Sequence, residues 1–269
     1  MNFFAASNIT AGYGRKTIVN NLSFSMDSGC LLGILGANGS GKTTLLKAVC
    51  GILPHTGSCT LDGKILEKLS PRQLARHCSY IPQRSGISID ISVLDVVLMG
   101  CNPRLGLLER PTAAMKAEGR RALALVGLKD SEEKNYQTLS EGQKQLCILA
   151  RTLCCQSRLL LLDEPESALD FHFRYRMLDI LRNWLSDDRR AAIVTLHDPS
   201  LALNYCDILL LLSDGSVLGS LCPKEDSLEK METMLQQIYG KISLAGFISR
   251  SGRKHLVMLN EETKQETDE

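Results

Sequence analysis

The chain has almost no net charge: 31 lysines and arginines meet 30 aspartates and glutamates, for a formal charge of +1. Such a balance gives no electrostatic footprint for nucleic acid or an anionic lipid surface, so partners must be recognised by other means. Long apolar runs are missing as well. None approaches the ~18 residues needed to cross a bilayer, so a role at a membrane would require another polypeptide. There is no CxxC pair and no signal-peptide pattern, and several of the ten cysteines sit in apolar runs (Cys30, Cys50, Cys147, Cys154, Cys206). They read as buried free thiols of a reducing cytosol and not as a disulfide framework. His77 and Cys78 are adjacent, but zinc would need more converging ligands than these two. Tryptophan occurs once, as Trp184, where packing is its expected role. No internal repeat is visible.

At 269 residues the chain can bury roughly three quarters of its unfolded surface, as one large domain or as a core with lobes. Its most informative stretch is GANGSGKTT, running from Gly36 to Thr44, which fits the phosphate-loop pattern G-x-x-x-x-G-K-[ST] without a mismatch. Residues 30–35 form a short apolar run suited to a buried strand, and residues 44–50 place Leu45, Leu46 and Val49 at helical spacing. The loop therefore lies between strand and helix, the context in which this pattern holds a nucleotide triphosphate. Gly36, Gly39 and Gly41 let the backbone curl until its N–H groups face the phosphates, and the helix N-terminus adds its positive dipole end. Lys42 is expected to reach the β- and γ-phosphates and the Thr43 hydroxyl to help hold Mg²⁺. Asn38, Ser40 and Thr44 complete the expected ATP contacts.

Residues 3–10 and 22–26 read as strands joined by a glycine-bearing turn, AGYGRKT. Tyr13 lies in that turn with little core to join; it is either a ring for adenine to stack on or an ordinary exposed tyrosine. Residues 58–66 carry an Asp62-Gly63 turn between strand-like pieces, a hairpin with no visible chemistry. Residues 78–82 form another short strand ending at Gln83, after which the composition changes and a boundary is expected. Residues 93–99 are apolar at nearly every position, and residues 113–126 are amphipathic, with Lys116, Glu118, Arg120 and Arg121 on a solvated face. Between them GCNPRLGLLERP is punctuated by glycine and proline and shows leucines, as a packed surface loop or as a docking site. LSEGQ, residues 139–143, precedes an apolar-periodic helix. Ser140 and Gln143 match a capping box, and the same helix start can serve as a second anion site.

The apolar strand 159–162 ends in Asp163-Glu164-Pro165, the shape of a central parallel strand whose C-terminal end meets a nucleotide. Asp163 is expected to orient Mg²⁺ through water, and Glu164 to polarise an attacking water, a role worth ~10² to 10⁴ in rate. Ser167, Ala168, Leu169 and Asp170 lead into a helix. Residues 191–196 repeat the pattern of a buried strand followed by polar residues, which aims His197 at the same site as a donor to the γ-phosphate. Residues 208–221 make a closing hairpin around Asp214-Gly215. A polar helix at 225–239, strand-like pieces at 242–249 and 255–259, and a charged end at 261–269, expected to be disordered, complete the chain.

Taken in order, GANGSGKTT, YIPQ, LSEGQ, LLLLDEP, SALD and TLHD make the chain resemble the ATP-binding subunit of ABC transporters over nearly all of residues 2–222. The resemblance implies an α/β fold: a P-loop NTPase (RecA-like) core with an antiparallel β subdomain, an inserted helical subdomain at about 84–156 and a small C-terminal extension at 223–260. It further implies that Tyr13 stacks on adenine, that Gln83 links the Mg²⁺ site to the helical lobe, and that His197 is the switch histidine. Ser140, Gly142, Gln143 and Asp170 would act across a homodimer in which each copy sandwiches ATP between its own loop and its partner's LSEGQ. Implied partners are integral membrane permease subunits and, indirectly, an extracytoplasmic substrate-binding protein, with no nucleic acid; the implied place is the cytoplasmic face of the membrane. Two residues depart from the pattern. Glu141 stands where glycine is usual and is expected to point outward, and Glu166 replaces a residue that is usually small and polar.

Rival classes fit less well. DNA-repair ATPases of this family split the two motifs with a long coiled coil, translation factors carry two cassettes, and a GTPase would need an NKxD motif, which is absent. The run SVLDVVLMGCNPRLGLLERP and the QQIYG segment at 236–240 resemble the cassettes of iron-siderophore, haem and cobalamin importers; the alternative is the cassette of a transporter for another cargo or of an exporter, since both importers and some exporters use separate cassette chains. Residues 84–111 are expected to receive a permease helix, with Leu105 and Leu107 as its exposed contacts.

Overall fold

A computed structural model describes residues 2–83, 86–106, 108–167, 169–250, 252 and 254–261. Strands β1 (Phe4–Tyr13) and β2 (Lys16–Met26) form a bulged antiparallel hairpin. The turn expected over residues 11–17 is confined to Gly14 and Arg15, because Ala11, Gly12 and Tyr13 pair with Val19, Thr17 and Lys16. Strand β3 (Leu31–Gly36) leads through the phosphate loop into α1 (Lys42–Val49). The hairpin expected around Asp62-Gly63 is β4 (His55–Leu61) and β5 (Lys64–Ile65), joined to the first pair in a sheet ordered β2-β1-β4-β5.

Helix α2 (Pro71–His77), opened by a Ser70–Gln73 capping box, runs into β6 (Cys78–Ile81). The helical lobe follows as α3 (Val93–Leu98), α4 (Ala113–Val126) and α5 (Glu141–Cys154). Thr112 caps α4 at its start, and Gly127, at φ 78°, ends it in the left-handed conformation that glycine adopts without cost. The chain returns to the main sheet through β7 (Leu159–Asp163), α6 (Phe171–Trp184), β8 (Ala191–Thr195), α7 (Pro199–Tyr205), β9 (Ile208–Ser213) and β10 (Ser216–Leu221).

The main sheet is ordered β10-β9-β3-β8-β7-β6, parallel except for the edge strand β10. The inner strands β9, β3, β8 and β7 are buried on both faces, so their alternate residues serve different cores. Leu159 and Leu161 of β7 join the core shared with α1 and the antiparallel sheet, while Leu160 and Leu162 join the core under the helical lobe and α6. All ten cysteines are free thiols, and Cys50 and Cys222 alone are less than fully buried.

The C-terminal elements are α8 (Leu228–Tyr239) and a hairpin of β11 (Ile242–Ile248) and β12 (Lys254–Asn260). They are clamped to α7: the Asn204 amide donates to Leu256 O at 2.7 Å and accepts from Leu256 N at 3.0 Å, and Ser200 Oγ accepts from Met258 N. Glu261, expected to open the charged end, instead extends the hairpin by donating its N–H to Lys241 O. Residues 262–269 lie outside the described residues.

The stretch GCNPRLGLLERP differs most from expectation. Residues Met99–Arg104 form a 3-10 turn that lies against α5. A Cβ on Gly100 would come within 2.0 Å of Arg151 O, so only glycine allows that approach. Leu105, expected to be exposed, is buried in the lobe's core, whereas Leu108 is 97% exposed. Leu107 and residues 84 and 85 of the expected groove lie outside the described residues. Gly100 therefore serves helix packing, and exposure falls one turn later. Leu105→Glu, which would bury a charge in this core, is expected to destabilise the chain by about 3 kcal/mol or more, and Leu108→Glu by no more than about 0.5 kcal/mol. Denaturant unfolding of the two variants measures the difference.

Candidate active site

The phosphate loop is shaped by positions where side chains do not fit. Gly41, the residue before α1, has φ 102°, and a Cβ on Gly36 would lie 2.5 Å from both Leu212 O and Ser40 Oγ. The loop backbone therefore packs directly on β9 and presents the start of α1 at the C-terminal end of β3. Lys42 is 5% exposed, and its ammonium donates to Gly36 O at 2.9 Å and Ala37 O at 3.2 Å. Burial lowers its pKa, opposed by the nearby carboxylates of Glu164, Asp163 and Glu166. Ser40 Oγ is buried with no hydrogen-bond partner among the described residues, a donor suited to a phosphate oxygen.

Asp163, at the last position of β7, is 3% exposed and accepts hydroxyl protons from three elements. Thr43 Oγ1 of α1 and Thr195 Oγ1 of β8 donate to its Oδ1 at 3.0 and 3.1 Å, and Tyr80 Oη of β6 donates to its Oδ2 at 3.0 Å. Burial, followed by the Asp163 charge, pushes the Tyr80 phenol well above its ordinary pKa, which keeps it a donor. The paired oxygens of Thr43 and Asp163 are the hard donors that Mg²⁺ prefers, so the site fits that ion.

Glu164 follows with φ 46°, a left-handed backbone that a non-glycine residue adopts only when its surroundings hold it. Thr195 Oγ1 does so by accepting the Glu164 N–H at 2.8 Å. The carboxylate is gripped at Oε2 from two sides, by Gln83 Nε2 at 2.6 Å and by His197 Nε2 at 2.6 Å. Since the carboxylate can only accept from a donor nitrogen, Nε2 carries the proton in this contact. Gln83, His197, Glu164, Asp163, Thr43 and Lys42 are thus brought together at the ends of β3, β7 and β8, where open α/β sheets bind ligands.

The remaining expected residues stand apart. Tyr13 is 50% exposed beside a 560 Å³ pocket that it shares with Lys16, Leu53 and His55, a pocket to which the phosphate loop contributes no residue. Ser140 and Gln143 form the expected capping box, with Gln143 N donating to Ser140 Oγ at 3.3 Å and Ser140 N to Gln143 Oε1 at 3.1 Å. An added Cβ on Gly142 would lie 3.4 Å from Phe173 and 3.7 Å from Leu169, so the start of α5 packs beside the turn before α6. Asp170 caps α6 through Phe173 N. Glu141 points outward, 74% exposed and paired with Lys144 at 2.8 Å.

Four residues escape a reading of sequence alone. Thr195 and Tyr80 bind Asp163, Glu166 binds the His197 backbone, and Gln145 donates to Gln83 O at 3.0 Å from within α5. Thr195 carries one faint signal, a hydroxyl at the end of an otherwise apolar strand.

A phosphate loop, an inserted helical lobe and strand-end carboxylates in this order define a P-loop ATP-binding cassette. The family model described as ABC transporter matches residues 19–167. The chain is 37% identical over 244 residues to the hemin import ATP-binding protein HmuV of Bordetella pertussis, covering 87% of this chain and 91% of that one. It is 35% identical over 213 residues to an uncharacterized ABC transporter ATP-binding protein, YvrA, of Bacillus subtilis, covering 78% of this chain and spanning only 48% of YvrA. The fold matches a chain of a transporter assigned to the metal-chelate type, in an inward-facing conformation, with a TM-score of 0.81 at 23% identity over 97% of this chain and 99% of the other. The chain belongs to the ABC transporter family, as one of its ATP-binding subunits. No helix among the described residues is long and apolar enough to cross a membrane.

Replacing Thr195 tests the geometry. Thr195→Val removes a donor to Asp163 and the acceptor for Glu164 N–H while keeping the shape, and is expected to cost about 1–3 kcal/mol of stability and about tenfold in ATP turnover. Thermal unfolding and steady-state ATPase rates check both.

Proposed function

We propose that the chain is the ATP-hydrolysing subunit of an importer that takes up a metal chelate, namely haem, a ferric siderophore or a cobalamin, through separate membrane permease subunits. The observation that carries the ATP-hydrolysing part of the reading is the joined pair at the end of β7, with Asp163 bonded to Thr43 and Glu164 held between Gln83 and His197.

ATP enters with its phosphates against the loop N–H groups and the start of α1. Lys42 leaves the carbonyls of Gly36 and Ala37 to pair with the β- and γ-phosphates, a favourable exchange for a buried ammonium. Ser40 Oγ gains the partner it lacks. Thr43, Asp163 and Gln83 would hold Mg²⁺, which when bound offsets the charge on the phosphate oxygens. Glu164 takes a proton from the attacking water, and His197 Nε2–H, released from Glu164, donates to the γ-phosphate. Tyr13 gives the adenine a ring to stack on.

The cross-dimer role of Ser140, Gly142, Gln143 and Asp170 is supported by their place at two helix starts, those of α5 and α6, which pack beside each other through Gly142 and Phe173. Ser140 Oγ accepts from Gln143 N–H, so its own proton is free for a phosphate. Glu141, turned toward Lys144, keeps its charge off that position. Gln145 ties α5 to the backbone of Gln83, so ligand-driven movement of Gln83 would move the helical lobe, the expected seat of the permease. The chain works at the cytoplasmic face of the membrane, opposite the substrate-binding protein. The cassette does not touch the cargo, and the chelate reading rests on the named function of HmuV together with the resemblance of residues 92–111.

Two experiments separate these layers. Glu164→Gln is expected to bind ATP normally and to turn over about 10²-fold or more slowly, with Lys42→Ala failing at binding; equal rates for wild type and Glu164→Gln with the permease present would refute the assignment. In the reconstituted transporter, ATPase activity should rise with a ferric chelate, haem or a corrinoid. A response only to an amino acid, sugar or peptide would remove the cargo reading and leave the hydrolysis site standing.

A further inference from the structure

We propose that Glu166 is a positioning residue for His197, fixing the backbone of the histidine turn so that the imidazole stays on Glu164. The proposal rests on the reading above, in which Glu164 and His197 act on water and the γ-phosphate.

Glu166 is 2% exposed and sits in the turn that follows β7. Its Oε1 accepts the backbone N–H of His197 at 2.8 Å, across 31 residues of sequence. Its other oxygen, Oε2, is buried with no hydrogen-bond partner among the described residues. A carboxyl group left half satisfied in the interior costs stability, so the side chain is poorly explained as a device for holding the fold together. Burial raises its pKa, against the lowering effect of the His197 and Glu166 backbone N–H groups. The one strong bond it makes ends on the residue whose imidazole must be placed.

His197 needs such a support because regular structure does not reach it. Strand β8 ends at Thr195, and Leu196 N–H still bonds Ile34 O of β3 at 3.3 Å. On the far side Asp198 caps α7, accepting Leu201 N–H at 3.1 Å. Between these anchors the His197 N–H projects away from both sheet and helix, and Glu166 is what it meets. The same turn fixes Glu166 from its other end, since Glu166 O accepts Leu169 N–H at 3.0 Å and Glu164 O accepts Ser167 N–H at 3.1 Å. One short turn therefore carries both Glu164 and the side chain that sets the backbone of its partner histidine. An imidazole 44% exposed, touching Glu164 at 2.6 Å, has little packing of its own to stop a backbone swing. A shift of about 1 Å in such a group is enough to slow a reaction by about 10²-fold.

The test is a double-mutant cycle on ATP turnover by the assembled transporter, with folding of each variant checked by circular dichroism. Glu166→Ala is expected to lower kcat about tenfold with KM for ATP changed by less than about twofold. Glu166→Gln, whose amide oxygen can still accept the His197 N–H, should recover most of that loss. In a His197→Ala background, Glu166→Ala should slow the enzyme by no more than about twofold further. The proposal is overturned by an unchanged kcat in Glu166→Ala, by Glu166→Gln being as slow as Glu166→Ala, or by the full tenfold loss persisting without the imidazole. If Glu166→Ala does not fold, Glu166→Ser takes its place in the cycle with the same outcomes. A wild-type rate in His197→Ala alone would instead contradict the reading of the site.

Discussion

A buried carboxylate has to be surrounded by donors, and at Asp163 that requirement ties the molecule together. Its two oxygens collect hydroxyl protons from Thr43 on α1, Thr195 on β8 and Tyr80 on β6. β6 and β8 are set in register with β7 by the sheet's own hydrogen bonds, but α1 is otherwise held to β7 by apolar packing, which sets distance but not register. The carboxylate supplies the register. It fixes the start of α1 against the ends of the central strands, and Thr195, shared with the Glu164 N–H, carries that placement one residue further to the group expected to activate water. Because each donor is a neutral hydroxyl, a divalent cation can displace it without leaving an unpaired charge behind.

Among the described residues, Gln145 links the helical lobe directly to this centre by donating to Gln83 O. Gln83 is also bonded to Glu164, so a single residue faces Glu164 with its side chain and the lobe with its backbone. On the proposed reading, a local change at the phosphates would reach α5, whose start carries Ser140, through this residue. The lobe itself is packed through α3 and the Gly100 turn against α5.

What could be read from sequence follows the range of the interactions. The phosphate loop, the capping box at Ser140 and the apolar strands ending in Asp163 and before His197 are local patterns, each set by residues within a few positions of one another. Thr195, Tyr80, Gln145 and Glu166 act across 31 to 83 residues, and nothing near them in sequence names their partners. The reading of Leu105 as exposed erred for a related reason: glycine and proline mark an irregular segment, but the close approach of Gly100 to Arg151 that buries it is tertiary. The turn around Tyr13 was overdrawn because bulged pairing lets a hairpin carry glycines within its strands. Glu166 shows the opposite case, a visible departure from pattern that acquired meaning only once the His197 backbone was beside it.

Ser140 and Gly142 gather at a helix start while the phosphate loop lies with β3 and β7, and on the reading proposed above the two halves of the nucleotide site would meet between two copies of the chain. Sedimentation equilibrium of the slowly hydrolysing Glu164→Gln variant measures this directly. Saturating ATP with Mg²⁺ should convert it from monomer to a species of twice the mass, and removal of nucleotide should reverse the change. A monomer that persists with ATP demonstrably bound would contradict a site shared between two copies.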